Sequence, residues 1–170
     1  MTRVDIIPME QGHLDEILAI EEEVFSTPWT RGMFEQEIRR RDVSRGPGSY
    51  AVVAIHENDV IAYSIAWFLL DEVHLVNIAV RPDHQVRGIG SVLLHHLIDS
   101  ARRTDKTIIT LEVRESNTAA QAFYRGFMFR EIGVRRSYYT DNHENAVLMA
   151  LDLENFIKRR RGDAVTSEDD

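Results

Sequence analysis

Residues 73–103 read VHLVNIAVRPDHQVRGIGSVLLHHLIDSARR. The first eight are β-rich, so 73–80 predicts a strand. From Gly90 onward, Val92, Leu93, Leu97, Ile98 and Ala101 recur at helical spacing, so 90–103 predicts a helix. Between them, His84-Gln85-Val86-Arg87-Gly88-Ile89-Gly90 forms a turn with two glycines. Glycine lets backbone approach a ligand closely. The helix start behind it offers unpaired N–H groups and the positive end of the dipole. Strand, glycine turn and helix start together make a cradle for a pyrophosphate. A dinucleotide fingerprint would need a further glycine where Leu93 stands, and a P-loop would need Gly-Lys-Ser/Thr. Taken alone, the two glycines also fit an ordinary strand-to-helix turn.

Working outward, 3–7 predicts a short strand, and Leu14, Ile17, Leu18, Glu21, Val24 and Phe25 mark one stripe of a helix. Pro28-Trp29-Thr30 breaks the chain, with Thr30 as N-cap of a second helix carrying Met33, Phe34 and Ile38. Residues 44–49 read as a loop, 50–56 and 60–70 as strands joined at Glu57-Asn58-Asp59. After 90–103 come strand 107–113, helix 117–127, and strands 129–136 and 146–153. The order predicts a mixed α/β (α+β) architecture, a central sheet of six to seven strands flanked by four helices. Residues 1–157 read as a single domain. Residues 158–170, KRRRGDAVTSEDD, lack apolar periodicity and predict a disordered charged tail.

The chain has 170 residues and a formal net charge of −8. That charge argues against a general nucleic-acid binder. It is unevenly spread: 81–136 is net +4, and the segments on either side are acidic. The central stretch reads either as a few solvated helix faces or as an anion site between 81 and 136. Cysteine is absent, which excludes a disulfide framework, a thiolate metal site and a cysteine nucleophile. His74, His84, His95, His96 and His143 form no metal set, so no metal is expected. No apolar run approaches the ~20 residues of a membrane span. Residues 1–10 show no signal-peptide core, so the expectation is a cytoplasmic chain without membrane attachment.

The turn Gln85-Val86-Arg87-Gly88-Ile89-Gly90 resembles the Q/R-x-x-G-x-G/A acetyl-CoA loop of the GNAT superfamily of N-acetyltransferases. It follows Asn77-Ile78-Ala79-Val80 and Arg81-Pro82-Asp83, as in that family. Residues 111–117, LEVRESN, are similar to a segment of the bacterial ribosomal-protein alanine N-acetyltransferases (RimI type). So are Ala119-Ala120-Gln121-Ala122-Phe123-Tyr124, Arg135-Arg136-Ser137-Tyr138-Tyr139 and Pro28-Trp29-Thr30. The likeness runs in order over about residues 3 to 153, and it implies the GNAT fold. One position departs: Met128 stands where the family has a helix-ending glycine. Either the turn is not left-handed here, or Gly126-Phe127 ends the helix early.

The resemblance implies acetyl-CoA as co-substrate. Ile78, Ala79, Val80, Gln85, Val86, Arg87, Gly88, Ile89, Gly90 and Ser91 would contact it, with Arg87 or Arg81 as nearby cations. It also implies pantetheine along strand 110–113 and a hydrogen bond from Asn117, whose place before Thr118 equally suits an N-cap. Glu112 alternates with Leu111 and Val113, so it faces away from both. Facing solvent is one reading. The resemblance favours a general base acting through a water, with burial raising its pKa. Tyr124 reads as a core aromatic from its neighbours Phe123 and Phe127, and as the acid that protonates the departing thiolate from the resemblance. With no cysteine to carry acetyl, transfer would be direct in a ternary complex.

An α-amine has a reference pKa of ~7.7–8.0 against ~10.4 for lysine, so it needs less help to lose its proton. The resemblance implies a protein N-terminus as acceptor, the N-terminal alanine of a ribosomal protein, held by Tyr138 and Tyr139, although paired tyrosines at a strand end also fit a packing role alone. Phe25 and Trp29 can wall the same groove. His74 reads first as a surface or satisfied core histidine, with a second site group as the other reading. Two rivals stay open: a GNAT enzyme acetylating a small amine or a lysine side chain, and a non-catalytic acyl-CoA-binding module.

Overall fold

The computed structural model describes residues 4–41 and 47–160. Arg3 of the first expected strand, residues 44–46 of the 44–49 loop and the tail from 161 lie outside the described residues. The strands are β1 (Asp5–Pro8), β2 (Gly48–His56), β3 (Asp59–Phe68), β4 (Glu72–Val80), β5 (Ile108–Arg114), β6 (Arg130–Arg135) and β7 (Ala146–Asp152). The helices are α1 (Leu14–Val24), α2 (Arg31–Arg39), α3 (Ile89–Arg103), α4 (Thr118–Gly126) and α5 (Leu153–Arg160). Each predicted element has its counterpart, and the fold class is as expected. Helix α5 is a correction: the sequence reading had four helices, a strand to 153 and a tail from 158. Asp152 starts this helix, its Oδ1 accepting the Asn155 N–H at 2.9 Å. Thr30 precedes α2 with extended backbone, but its side chain makes no cap hydrogen bond.

The seven strands form one sheet in the order β1-β2-β3-β4-β5-β7-β6. All pairs are antiparallel except β4–β5. The β2–β3 turn takes positive φ at Glu57 (50°) and Asn58 (74°), matching the mirror-image turns that hairpins prefer. Both faces are covered. Residues from α3, α4 and α5 pack on one face with Ile109, Leu111 and Val113 of β5. Residues from α1 and α2 pack on the other. Leu93, Leu94 and Leu97 of α3 are fully buried, each contributing about 1.5–3 kcal/mol of transfer free energy.

Two irregularities open the sheet. Ile65 pairs with Asn77 and Ala66 with Leu75, which leaves Val76 as an extra, bulged residue in β4. The parallel pairing of β4 with β5 runs from Glu72↔Ile108 to Leu75↔Leu111 and stops there. From Val76 onward the two strands part. Their facing backbone groups are left to pair with something else.

Helix α4 ends in a left-handed turn after all, and the left-handed residue is Met128 (φ 68°). The Met128 N–H reaches the Arg125 carbonyl at 2.9 Å, and the Phe129 N–H reaches the Tyr124 carbonyl at 3.1 Å. Phe129 packs on Tyr124 at 5.6 Å between ring centroids. This is the Schellman arrangement with its hydrophobic contact, made without glycine. A side chain in this conformation costs about 1–2 kcal/mol. Met128→Gly is therefore expected to raise stability by about 1 kcal/mol, seen as a higher Tm in thermal melts. A lower Tm would mean that Met128's packing against the α3 face outweighs the strain.

Candidate active site

The turn before α3 is built as a cradle. Gln85 Nε2 donates to the Val80 carbonyl at 3.0 Å, tying the loop to the end of β4. Val86 (φ 57°) is fully exposed, and Gly88 (φ 82°) is the N-cap of α3. Only glycine adopts that φ readily. Because Gly88 brings no capping side chain, the first-turn N–H groups are presented outward. Ile89 is buried and seats the helix, while Gly90 lies beside Phe123 and Val80. These features fit a pyrophosphate. Of the two candidate cations, Arg81 is already engaged: Nε lies 2.8 Å from Asp83 Oδ1 and Nη1 3.9 Å from Asp59 Oδ2. Arg87 is exposed and makes no ion pair among the described residues.

Where β4 and β5 part, a groove of about 730 Å³ opens. Its walls include Val76, Asn77 and Ile78 of β4 and Leu111 to Arg114 of β5. Glu112, Tyr124, Asn117, Phe25, Trp29, Tyr138 and Tyr139 all line it. The turn 85–91 stands outside this lining, beyond the end of β4, and the side chain of Ala79 is buried under α1. A second depression of about 780 Å³, between the end of α3 and α5, is walled largely by charged side chains such as Arg102, Lys106 and Asp152.

Glu112 and Tyr124 reach the groove from opposite faces of the sheet. Glu112 projects from β5 away from the Leu111 and Val113 face and is 9% exposed. Its Oε2 lies 2.8 Å from His74 Nε2 and its Oε1 3.3 Å from Arg135 Nη1. The His74 hydrogen bond holds its pKa below the ordinary carboxylate value, against the opposing pull of burial, and Arg135 adds to the lowering. The expected rise is thus reversed, since the His74 hydrogen bond and the Arg135 guanidinium outweigh partial desolvation. Tyr124 comes from α4 on the other face, packed between Phe123 and Phe129. Burial pushes its phenol pKa up, so it stays protonated. Among the described residues no group hydrogen-bonds its hydroxyl. Asn117 is the N-cap of α4, its Oδ1 accepting from Ala120 N–H at 3.0 Å, and it also faces the groove.

The groove mouth is held by side chains that sequence reading missed. Arg114 binds Asp141 at 2.7 Å and Glu144 at 3.1 Å, and its guanidinium sits 3.9 Å over the Tyr139 ring. Burial pushes the Tyr139 phenol up to about 12. Tyr138 meets Tyr139 edge-on at 5.2 Å. Ser26 donates to Asp141 at 2.9 Å, bridging the loop after α1 to the loop after β6. Glu21, only 1% exposed, accepts from the Trp29 N–H at 2.9 Å, from Asn77, and from the Tyr63 hydroxyl. Burial raises its pKa. The only sign of it in the sequence is a carboxylate sitting in an apolar stripe. Trp29 also packs on Phe34 at 5.4 Å, so it serves core and groove together.

The acetyltransferase (GNAT) family model matches residues 14–129. The chain belongs to the GNAT family. It is 36% identical over 151 residues to the [ribosomal protein bS18]-alanine N-acetyltransferase of Escherichia coli K12, covering 87% of this chain and 97% of that one. The crystal structure of the Escherichia coli ribosomal-protein-S18-alanine N-acetyltransferase superposes with a TM-score of 0.78 at 35% identity, over 89% of this chain and 94% of the other. Arabidopsis thaliana NAA60 in complex with acetyl-CoA shares the fold at 16% identity, with a TM-score of 0.77 over 88% and 99% of the two chains. The resemblance carried by residues 85–90 and 111–124 is borne out. Among the described residues no helix of this GNAT chain is long and apolar enough to cross a membrane, and no cluster suits a metal ion.

Proposed function

We propose that this chain moves acetyl from acetyl-CoA to the α-amino group of a protein N-terminus, the acceptor being the N-terminal alanine of a ribosomal protein. One observation carries the reading: Glu112 and Tyr124, from opposite faces of the sheet, converge on the groove where β4 and β5 part. Bound there, acetyl-CoA supplies the activated thioester carbonyl. Its phosphates suit the N–H groups from Gly88 to Ser91, with Arg87, unpaired among the described residues, as the nearby cation. Its extended arm suits the unpaired edges of β4 beyond Leu75 and of β5 beyond Leu111, as an added strand would. The Asn117 amide faces the same space.

The acceptor enters between Phe25 and Trp29 on one side and Tyr138 and Tyr139 on the other. Glu112, ionised at neutral pH, draws the first proton from the ammonium through a water. Tyr124 gives its proton to the departing sulfur and is reprotonated from the new amide nitrogen. An ammonium that becomes an amide loses two protons, so one ends on the thiol and one leaves to solvent. The continuous sheet supports treating residues 1–157 as one catalytic domain, and an acceptor of this class is met in the cytoplasm.

The relatives' shared acceptor and the tyrosine-walled mouth favour an α-amine over a lysine or a small amine. Mass spectrometry of proteome N-termini, with and without the gene for this chain, tests the reading. The expected result is loss of acetyl from a small set of N-termini, one of them a ribosomal alanine. An unchanged set would overturn it.

A further inference from the structure

Glu112 is one end of a line of four side chains. His74 Nε2 lies 2.8 Å from its Oε2. The other ring nitrogen, Nδ1, lies 2.9 Å from Thr110 Oγ1. The Thr110 hydroxyl donates to Glu72 Oε1. The sheet fixes this order. His74 and Thr110 are cross-strand partners in the parallel β4–β5 pair. Glu72 stands two residues before His74, and Glu112 two residues after Thr110, so all four project from one face. The line starts at the groove and runs along the closed part of the β4–β5 pair, away from where the strands part.

The donors and acceptors are in series. Thr110 gives its proton to Glu72, so its lone pair is free to accept His74 Nδ1–H. In that tautomer Nε2 faces Glu112 with its lone pair, and in the other Nε2–H donates to the ionised carboxylate. Arg135 holds the other carboxylate oxygen at 3.3 Å, which leaves Oε2 turned to the ring. From the sheet neighbour β3, His74 meets the Trp67 ring at 6.1 Å, and the Trp67 indole N–H is directed to Glu37 of α2 at 3.1 Å. The charged groups around the imidazole are thus Glu112, Glu72, Arg135 and, behind Trp67, Glu37.

The reaction releases one proton per turnover, and Glu112 must be emptied before it can work again. We propose that His74, Thr110 and Glu72 form the exit for that proton, with His74 as the relay next to Glu112. The proton on Oε2 of Glu112 bonds to Nε2 as the Nδ1–H bond breaks. That second proton bonds to Thr110 Oγ1 as the hydroxyl proton passes to Glu72. Glu72, partly exposed, gives it to water. Water also reaches the His74 side chain, 20% exposed, and returns the ring to its starting tautomer. Until that reset the ring proton sits on Nε2, the tautomer whose hydrogen bond to the ionised carboxylate holds the Glu112 pKa down.

The inference rests on Glu112 being the base, so the test separates the two. Steady-state kcat and KM are measured across the neutral range for the full chain, for His74→Ala and Thr110→Val, and for Glu112→Gln. His74→Ala and Thr110→Val are each expected to lower kcat about tenfold, with KM for acetyl-CoA and peptide within about twofold. Added imidazole restores rate to His74→Ala. The acidic limb of His74→Ala stays with the acceptor amine, as in the wild type, because Glu112 remains ionised across the neutral range. Near-normal kcat in both variants overturns the relay, as does a slow His74→Ala with no imidazole response. Thr110→Val carries the test if His74→Ala does not fold. A fully active Glu112→Gln removes the base itself, whereas an inactive Glu112→Gln beside normal relay variants removes only the exit.

Discussion

Glu112→Gln is expected to lower kcat by about 10²- to 10⁴-fold while acetyl-CoA still binds. The amide keeps the shape of the carboxylate and its place on β5, opposite Leu148 of β7. It loses the charge that faces His74 and Arg135, and it cannot accept a proton from an ammonium. The pH dependence has a definite sign. Partners that hold the Glu112 pKa down keep it ionised throughout the neutral range. The rise in wild-type rate with pH therefore follows the acceptor amine, near ~7.7–8.0, and not Glu112. The deficit of the variant is largest below that range, where most of the amine is still an ammonium that needs a base. Rates at several pH values, with binding followed by calorimetry, check this. Wild-type turnover across the range would remove the assignment.

Tyr124→Phe is expected to cost about 10²-fold or more in kcat, again with little change in acetyl-CoA affinity. The ring contacts with Phe123 and Phe129 survive the change, so the Tm should hold within a few degrees. What is lost is a hydroxyl that burial keeps protonated and that no described neighbour occupies. A group in that state gives a proton and does not act as a base. The loss should shrink with a thioester whose thiol is more acidic, because that leaving group needs less protonation. Near-normal kcat with acetyl-CoA would leave Tyr124 a packing role alone.

The strand, glycine turn and helix of 73–103 were legible because each has its own periodicity and punctuation. The alternation that set Glu112 apart from Leu111 and Val113 was legible for the same reason. The opening that makes a site of them was not. The bulge at Val76 lies in Leu75-Val76-Asn77, which reads like any stretch of strand, and the parting of β4 from β5 is a relation between segments over thirty residues apart. The direction of the Glu112 shift was missed for the same cause, since His74 and Arg135 come from other strands. Helix α5 was missed although its signal was present: Asp152 with Asn155 three residues on is a helix start. Without glycine or proline after β7, the apolar run 146–153 hid the boundary. At Met128 tertiary packing overrode the local preference for glycine. Part of the net +4 of 81–136 is spent within the protein, since Arg114 pairs with Asp141 and Glu144.

The central claim is that this groove joins acetyl to an N-terminal amine. The most direct measurement incubates the purified chain with acetyl-CoA and paired peptides. One begins with a free alanine and carries an internal lysine; the other is identical but blocked at its N-terminus. Mass spectrometry then locates the added acetyl. The account predicts one acetyl on the alanine nitrogen of the free peptide and none on the blocked one. Acetyl on the lysine of both peptides, with the alanine amine untouched, would contradict it.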